Sequence, residues 1–307
     1  MARTEKETGG FERFHGMNKT TATMIGFTAV LMWGLLAFFS KLAGAIPPLQ
    51  LTGMSFLIGG LVGVLSWPFR PGAARVLLQH PPGVWLHNVA GLFGSHFLYF
   101  MAVQNAPVVE VSLIAYLWPL FIVLFAGFLP GEKLKTHHLA GAALGLLGAY
   151  LVVSKGQGIG LSNGLQLGHM IALPYAMFWA AYSVSIRRYG KIPSDIVAGF
   201  CIATGIVALS AHMLLETTVW PLSGQQLLAI LGLGLLPVGA AFYAWDFGMK
   251  HGDPMVLGAS SYAAPLLSTV VLLLAGFATF HWSIGVACLL IMGGALTAAK
   301  DMIFRKT

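Results

Sequence analysis

Nine side chains in this chain stand out as candidates for chemistry: His96, Tyr99, Tyr116, Trp118, Trp179, Tyr182, Tyr243, Trp245 and Tyr262. His96 and Tyr99 are three apart, and Tyr175, Trp179 and Tyr182 recur at i, i+4 and i+7. On helices each set shares one face. Their common property is an apolar ring with a polar tip, and a buried tip needs a partner. Such a set suits recognition better than bond-making. Flat apolar groups stack on rings, and an ammonium binds over a ring face. The catalytic alternative is Ser95 beside His96 in "GSHF". Neighbours on a helix point about 100° apart, which predicts that these two do not pair as nucleophile and base. The sequence offers no metal-ligand cluster and no cofactor motif, so no cofactor is expected and an enzyme is disfavoured. Cys201 and Cys288 both lie in apolar runs and read as small packing residues.

The elements that must position these rings follow from composition. The 307 residues are 57% hydrophobic and 9% charged, with a mean hydropathy of +0.80. Soluble domains carry about 25% charged residues. Too few charges remain to cover a water-soluble domain of this length, so the chain reads as an all-α integral membrane protein embedded in a lipid bilayer. A net charge of +7 points to membrane orientation here, not to nucleic acid. Residues 1–20 form a polar tail without a signal-peptide core, in which Met17 is an alternative start.

Apolar runs between polar or Pro/Gly breaks predict ten transmembrane helices: 21–43, 48–68, 83–104, 107–129, 136–154, 164–188, 194–216, 224–250, 254–279 and 282–301. With the N-terminus cytoplasmic, fifteen of the seventeen Lys and Arg residues fall inside, and only Lys41 and Lys155 fall outside. The positive-inside rule therefore predicts both termini in the cytoplasm and an even number of spans, with residues 302–307 as a second cytoplasmic tail.

Prolines interrupt several of these spans. Pro119, Pro237 and Pro265 lie in the middle of theirs and Pro174 early in its own. Each removes a backbone hydrogen bond and kinks its helix, and Pro119, Pro237 and Pro265 are expected to act as hinges. Lys41 and Glu110 sit near the expected outer ends of their spans and are expected to pair as an external gate. Asp246 and Lys250 are four apart and read as a structural pair. Glycines at Gly141, Gly145, Gly148, Gly293 and Gly294 read as close-packing positions, within one chain in preference to between two; the monomer is favoured and a dimer remains open.

The chain also repeats itself. "MWGLLAFFSKLAG" aligns with "FWAAYSVSIRRYG", which sets Trp33 against Trp179. "YLWPL" aligns with "YAAPL", which sets Tyr116 against Tyr262 and Pro119 against Pro265, at the same spacing of 146 residues. "FMAVQNAP" aligns with "FGMKHGDP" one residue out of register. Each copy holds five spans, residues 21–155 and 156–301. An odd number makes the second copy enter from the opposite side, an inverted repeat of the kind that builds a midplane solute site and works by alternating access.

Ten spans, this repeat and the block "APVVEVSLIAYLWPLFIVLFAGFLPGEKLKTHHLAGAALGLLGAYLVV" resemble the drug/metabolite transporter superfamily of EamA type, over about residues 21–301. The residues that carry the match are Leu117, Pro119, Leu120, Gly131, Glu132, Leu134, Leu139, Gly141, Ala142, Leu144, Gly148 and Leu151. The aromatic-rich first half resembles the superfamily's bacterial aromatic amino acid exporters. The resemblance implies a multi-pass inner-membrane transporter with a central cavity lined by spans 1, 3, 4, 6, 8 and 9, and with spans 5 and 10 at the periphery. It implies a small solute, an aromatic amino acid by preference, with other amino acids, purines or drug-like metabolites as the alternative. The membrane-embedded glutamate with which small multidrug members of the superfamily exchange protons is absent from the first span, which predicts export without strong proton coupling.

Overall fold

The computed structural model describes residues 18–69, 72–126, 135–154, 165–185, 192–220, 222–252, 257, 261–298 and 300. All regular structure among them is helical. The helices are α1 (Lys19–Gly34), α2 (Leu36–Leu42), α3 (Pro48–Val64), α4 (Pro82–Gln104), α5 (Val108–Ala115), α6 (Trp118–Ala126), α7 (Thr136–Ser154), α8 (Leu167–Ser185), α9 (Ile196–Leu215), α10 (Gly224–Leu235), α11 (Ala241–His251), α12 (Ala264–Leu274) and α13 (Trp282–Ala298). Among the described residues four stretches are long and apolar enough to cross a membrane: Lys19–Leu42, Pro48–Phe69, Ile196–Leu215 and Gly224–Gly248.

Three of the expected spans are broken rods. The first turns at Leu35 between α1 and α2, and the fourth turns at Tyr116 and Leu117 between α5 and α6. In the eighth, a π-helical turn, Leu236–Ala240, joins α10 to α11. Prolines account for the positions of the breaks in the fourth and eighth spans, while the turn at Leu35 has none beside it. Pro119 and Pro265 each fall in the first turn of the helix that restarts, where no intrahelical N–H is required. Pro237 cannot supply the N–H that continues an α-helix, and the chain slips from i+4 to i+5 bonding around it.

Four antiparallel helix pairs organise the bundle. In α3–α9, Gly53 faces Leu209 while Gly60 faces Ile202. In α4–α8, Gly91 faces Tyr182 and Gly168 faces Ala102 and Ala106. In α1–α11, Gly26 lies against Gly248. In α7–α13, a Cβ on Gly294 would sit 2.6 Å from the Gly141 carbonyl oxygen, so this approach requires glycine. Apolar burial does not drive association among helices in lipid, and close packing of small residues does. The glycine-rich run of α7 thus serves contacts within the chain. Outward faces carry exposed large apolar residues such as Leu61, Leu86, Leu147, Leu214 and Leu289.

At the end of the bundle expected to face outward, polar groups close the helix termini. Glu216, at the end of α9, accepts the backbone N–H groups of Leu49 (3.0 Å) and Gln50 (3.2 Å) in the first turn of α3. A carboxylate suits the partial positive charge of a helix start. His212 holds Glu216 through Nδ1 at 2.9 Å and Thr218 through Nε2 at 2.9 Å. Gln50 and the backbone of Val219 exchange two hydrogen bonds of 3.0 Å.

Candidate solute cavity

The breaks in the helices converge on a small central cavity of about 40 Å³, partly open to its surroundings. Trp33 of α1 and Leu36 of α2 flank the first break, and Ala115, Tyr116 and Trp118 flank the second. Helix α4 contributes His96 and Tyr99, α5 contributes Ser112, and α8 contributes Tyr175 and Trp179. Phe242 of α11 and Ala264 of α12 complete the wall. Among the described residues the wall contains no Asp, Glu, Lys or Arg.

The polar tips in this wall are largely engaged by the protein. Ser112 donates to the Val108 carbonyl at 2.7 Å, which leaves its oxygen to accept from the Tyr99 hydroxyl at 3.3 Å. Tyr116 donates to the Trp33 carbonyl at 3.4 Å, beside the break in the first span. Trp33 donates its indole N–H to the Pro237 carbonyl at 3.2 Å, on the π turn. The irregular backbone of three spans is thereby tied together by two aromatic side chains. In lipid, carbonyls freed at such breaks must find a donor.

His96 is set differently. Its Nδ1 lies 3.0 Å from the Leu92 carbonyl oxygen, which can only accept, so Nδ1 carries the hydrogen. The neutral ring therefore keeps its lone pair at Nε2. The rings of Phe56, Phe242 and Trp179 stand edge-on around it at 4.8, 5.8 and 6.0 Å. Tyr99 and Tyr175 pack at 5.3 Å, and Trp179 and Phe242 at 6.2 Å. Such a wall offers ring faces to a flat solute and, at His96 Nε2, an acceptor to an N–H group.

Ser95 and His96 do approach each other, with Oγ 3.2 Å from Nδ1. This corrects the helix-geometry argument that kept them apart. Proton placement disfavours the pair as catalytic machinery nonetheless. The serine donates to the Gly91 carbonyl at 2.7 Å, and Nδ1 is itself a donor to Leu92, so it cannot take the serine's proton.

Of the nine rings singled out in the sequence, His96, Tyr99, Tyr116, Trp118 and Trp179 line the cavity. Tyr182 is buried outside the lining, donating to Asn88 at 3.0 Å. Tyr243 donates to the Gly59 carbonyl at 3.2 Å, and Trp245 packs behind Trp33 at 5.0 Å. Tyr262 lies in a short 3-10 turn, Ser261–Ala263, and its side chain is outside the described residues. So are the side chains of Pro119 and Lys250. Asp246 receives the Ser194 hydroxyl.

The partner that the structure gives Glu110 is His169, at 2.7 Å, in place of Lys41. Lys41 stands exposed at the end of α2. The physical reason is positional. Glu110 is in the first turn of α5 and His169 in the first turn of α8, and Gly168 holds the start of α8 beside the end of α4 by donating to the Asn105 carbonyl at 3.1 Å. The sequence reading missed Trp33, Leu36, Ser112, Ala115, Tyr175, Phe242 and Ala264 as wall residues. For Trp33 and Tyr175 signals existed, in the repeat partner Trp179 and in the i, i+4 stripe.

Comparison with known proteins agrees with this architecture. The model of the EamA-like transporter family matches twice, over residues 20–154 and 166–299. The aromatic amino acid exporter YddG of Ancylobacter novellus is 47% identical over 92% of this chain and 98% of its own length. The exporter of the same name from Escherichia coli is 25% identical over 91% of this chain and 97% of its own. The pseudopaline exporter CntI of Pseudomonas aeruginosa is 24% identical over 73% of this chain and 76% of its own. A solved crystal structure 44% identical in sequence superposes with a TM-score of 0.71, covering 94% of this chain and all of that one. With two adjacent matches spanning nearly its whole length, the chain belongs to the EamA-like transporter family.

Proposed function

We propose that this chain exports aromatic amino acids across a bacterial inner membrane. In this reading the chain crosses ten times, as two inverted five-span repeats with both termini cytoplasmic. The cavity opens alternately to either side as the repeats exchange conformations. One observation carries the reading: a central, uncharged, ring-lined cavity to which both halves of the chain contribute. Trp33 and Trp179, partners in the internal repeat, both stand in its wall. The helix pairing supports a pseudo-twofold arrangement. Exchanging the repeats converts the α4–α8 pair into the α11–α1 pair and returns α3–α9 and α7–α13 to themselves.

Ring faces and the His96 lone pair fit a flat side chain and an ammonium group. The uncharged wall disfavours phosphorylated solutes, which need cations. It also supports transport without strong proton coupling, because no carboxylate lines the cavity among the described residues. Lys41, Glu110 and His169 belong to the outer end, and Pro119, Pro237 and Pro265 to the moving breaks. The chain is read as a monomer.

The test is efflux from proteoliposomes loaded with a panel of amino acids. Phenylalanine and tryptophan should leave faster than alanine or glutamate, with and without a proton gradient. Equal rates for all would overturn the solute assignment, and flux only under a gradient would overturn the coupling assignment.

A further inference from the structure

Where a π turn hands back to an α-helix, the bonding register steps from i+5 to i+4 and one carbonyl is passed over. Ala241 N–H goes back five residues to the Leu236 carbonyl, and so skips Pro237. The donor that reaches the Pro237 carbonyl comes from another span: the indole N–H of Trp33, at 3.2 Å. The Trp33 ring also lies against the two residues that follow the π turn on one face of α11, Trp245 at 5.0 Å and Phe242 at 6.4 Å. On the other side Gly59 of α3 meets the turn. A Cβ there would stand 2.9 Å from the Val238 carbonyl oxygen, and the Gly59 carbonyl accepts the Tyr243 hydroxyl.

One extra residue in a helix rotates everything beyond it by about 100°. The rotation decides which of Phe242, Tyr243 and Trp245 faces the cavity, and Phe242 does. The sequence carries an imprint of the same event. "FGMKHGDP" follows the π turn and is one residue out of register with "FMAVQNAP", whereas "YAAPL" and "YLWPL" are in register.

We infer that Trp33 is a positioning residue: its indole N–H holds the π turn at Pro237 and thereby sets Phe242, and not its neighbours, into the cavity wall. This rests on reading the cavity as the solute site, but its test does not need a solute. Phe242→Cys is placed in a chain whose buried Cys201 and Cys288 are replaced by alanine. Its reaction with a small water-soluble methanethiosulfonate is followed in open membrane vesicles.

Trp33→Phe removes the donor and leaves a ring. An unsatisfied buried carbonyl costs enough to disfavour the turn severalfold, so labelling should slow by about fivefold or more. Trp33→His retains a ring N–H and should label at close to the parental rate. Unchanged labelling in Trp33→Phe would overturn the inference, since a residue that only forms wall would alter solute binding and leave Phe242→Cys in place. Slow labelling in Trp33→His would overturn it as well, and needs only that variant to insert. If labelling behaves as expected while no aromatic amino acid is transported, the functional reading fails and the positioning role stands.

Discussion

Glu110 and His169 meet at 2.7 Å across two helix starts, one in each segment that matches the family. His169 accepts the Gln166 backbone N–H at Nδ1 (3.1 Å), so its Nε2 carries the hydrogen given to the carboxylate. The bond is charge-assisted and 1% and 12% exposed at its two ends, where such bonds contribute about 1.5–3 kcal/mol. His169→Ala should lower the thermal midpoint by several degrees. In a double-mutant cycle with Glu110→Gln the two losses should fall short of additive by about 1 kcal/mol or more. Lys41→Ala, at an exposed position, should show no such coupling to Glu110. Additive losses for the first pair would remove its role as a clamp.

Glu216 makes a second prediction at the same end. Its two oxygens cap the start of α3, and His212 orients it. Replacing a capping side chain costs about 1 kcal/mol, with a further contribution where charge meets the helix start. Glu216→Gln should therefore cost about 1–2 kcal/mol of stability, read from thermal unfolding in detergent, with the affinity for solute unchanged. A change in affinity with no change in stability would mean that Glu216 belongs to the transport path instead.

The sequence made the all-helical class, the break at "YLWPL" and five of the wall rings legible, for physical reasons. Composition leaves lipid as the only solvent for so apolar a chain, and proline dictates where a helix must restart. What stayed hidden has equally plain causes. Phe242 has no polar tip, and nothing in composition separates a phenylalanine in a cavity from one facing lipid. Tyr243 and Trp245 drew attention by their tips, but the π turn rotates their helix and gives the wall to their neighbour. The register slip after Pro237 was the available signal, and its meaning emerges only beside the Leu236 to Ala241 bond. A count of charges points Glu110 to a cation, while the structure supplies a neutral imidazole donor in His169.

His96 yields a prediction about which part of the solute it meets. Its Nδ1–H is committed to Leu92, so neutral Nε2 offers only a lone pair. That lone pair can accept from the ammonium of an amino acid and has nothing to offer a carboxylate. His96→Leu should weaken binding of phenylalanine by about fivefold to tenfold, the equivalent of one hydrogen bond to a charged group. It should leave 3-phenylpropionate, which lacks the amine, within about twofold, since no such bond is lost. Equal losses for both solutes, measured by quenching of tryptophan fluorescence, would show that the ring acts through packing alone.

Trp179 and Tyr182 are neighbours on α8 with rings 5.5 Å apart, yet only Trp179 reaches the cavity. Tyr182 donates to Asn88 of α4 and fills the space beside Gly91, where a Cβ would stand 2.1 Å from its ring. The two should therefore separate cleanly in a pair of measurements. Trp179→Leu removes a stacking surface and should weaken binding of an aromatic amino acid by about tenfold, with a small effect on stability. Tyr182→Phe keeps the ring and removes the hydroxyl, which leaves a buried amide oxygen without its donor. It should cost about 1–2 kcal/mol of stability and leave affinity within about twofold. If Tyr182→Phe weakened binding as much as Trp179→Leu while unfolding at the parental temperature, the cavity would have to extend past Trp179 toward Asn88. The wall drawn here would then be that of one conformation in the transport cycle, with Tyr182 exposed to solute in another.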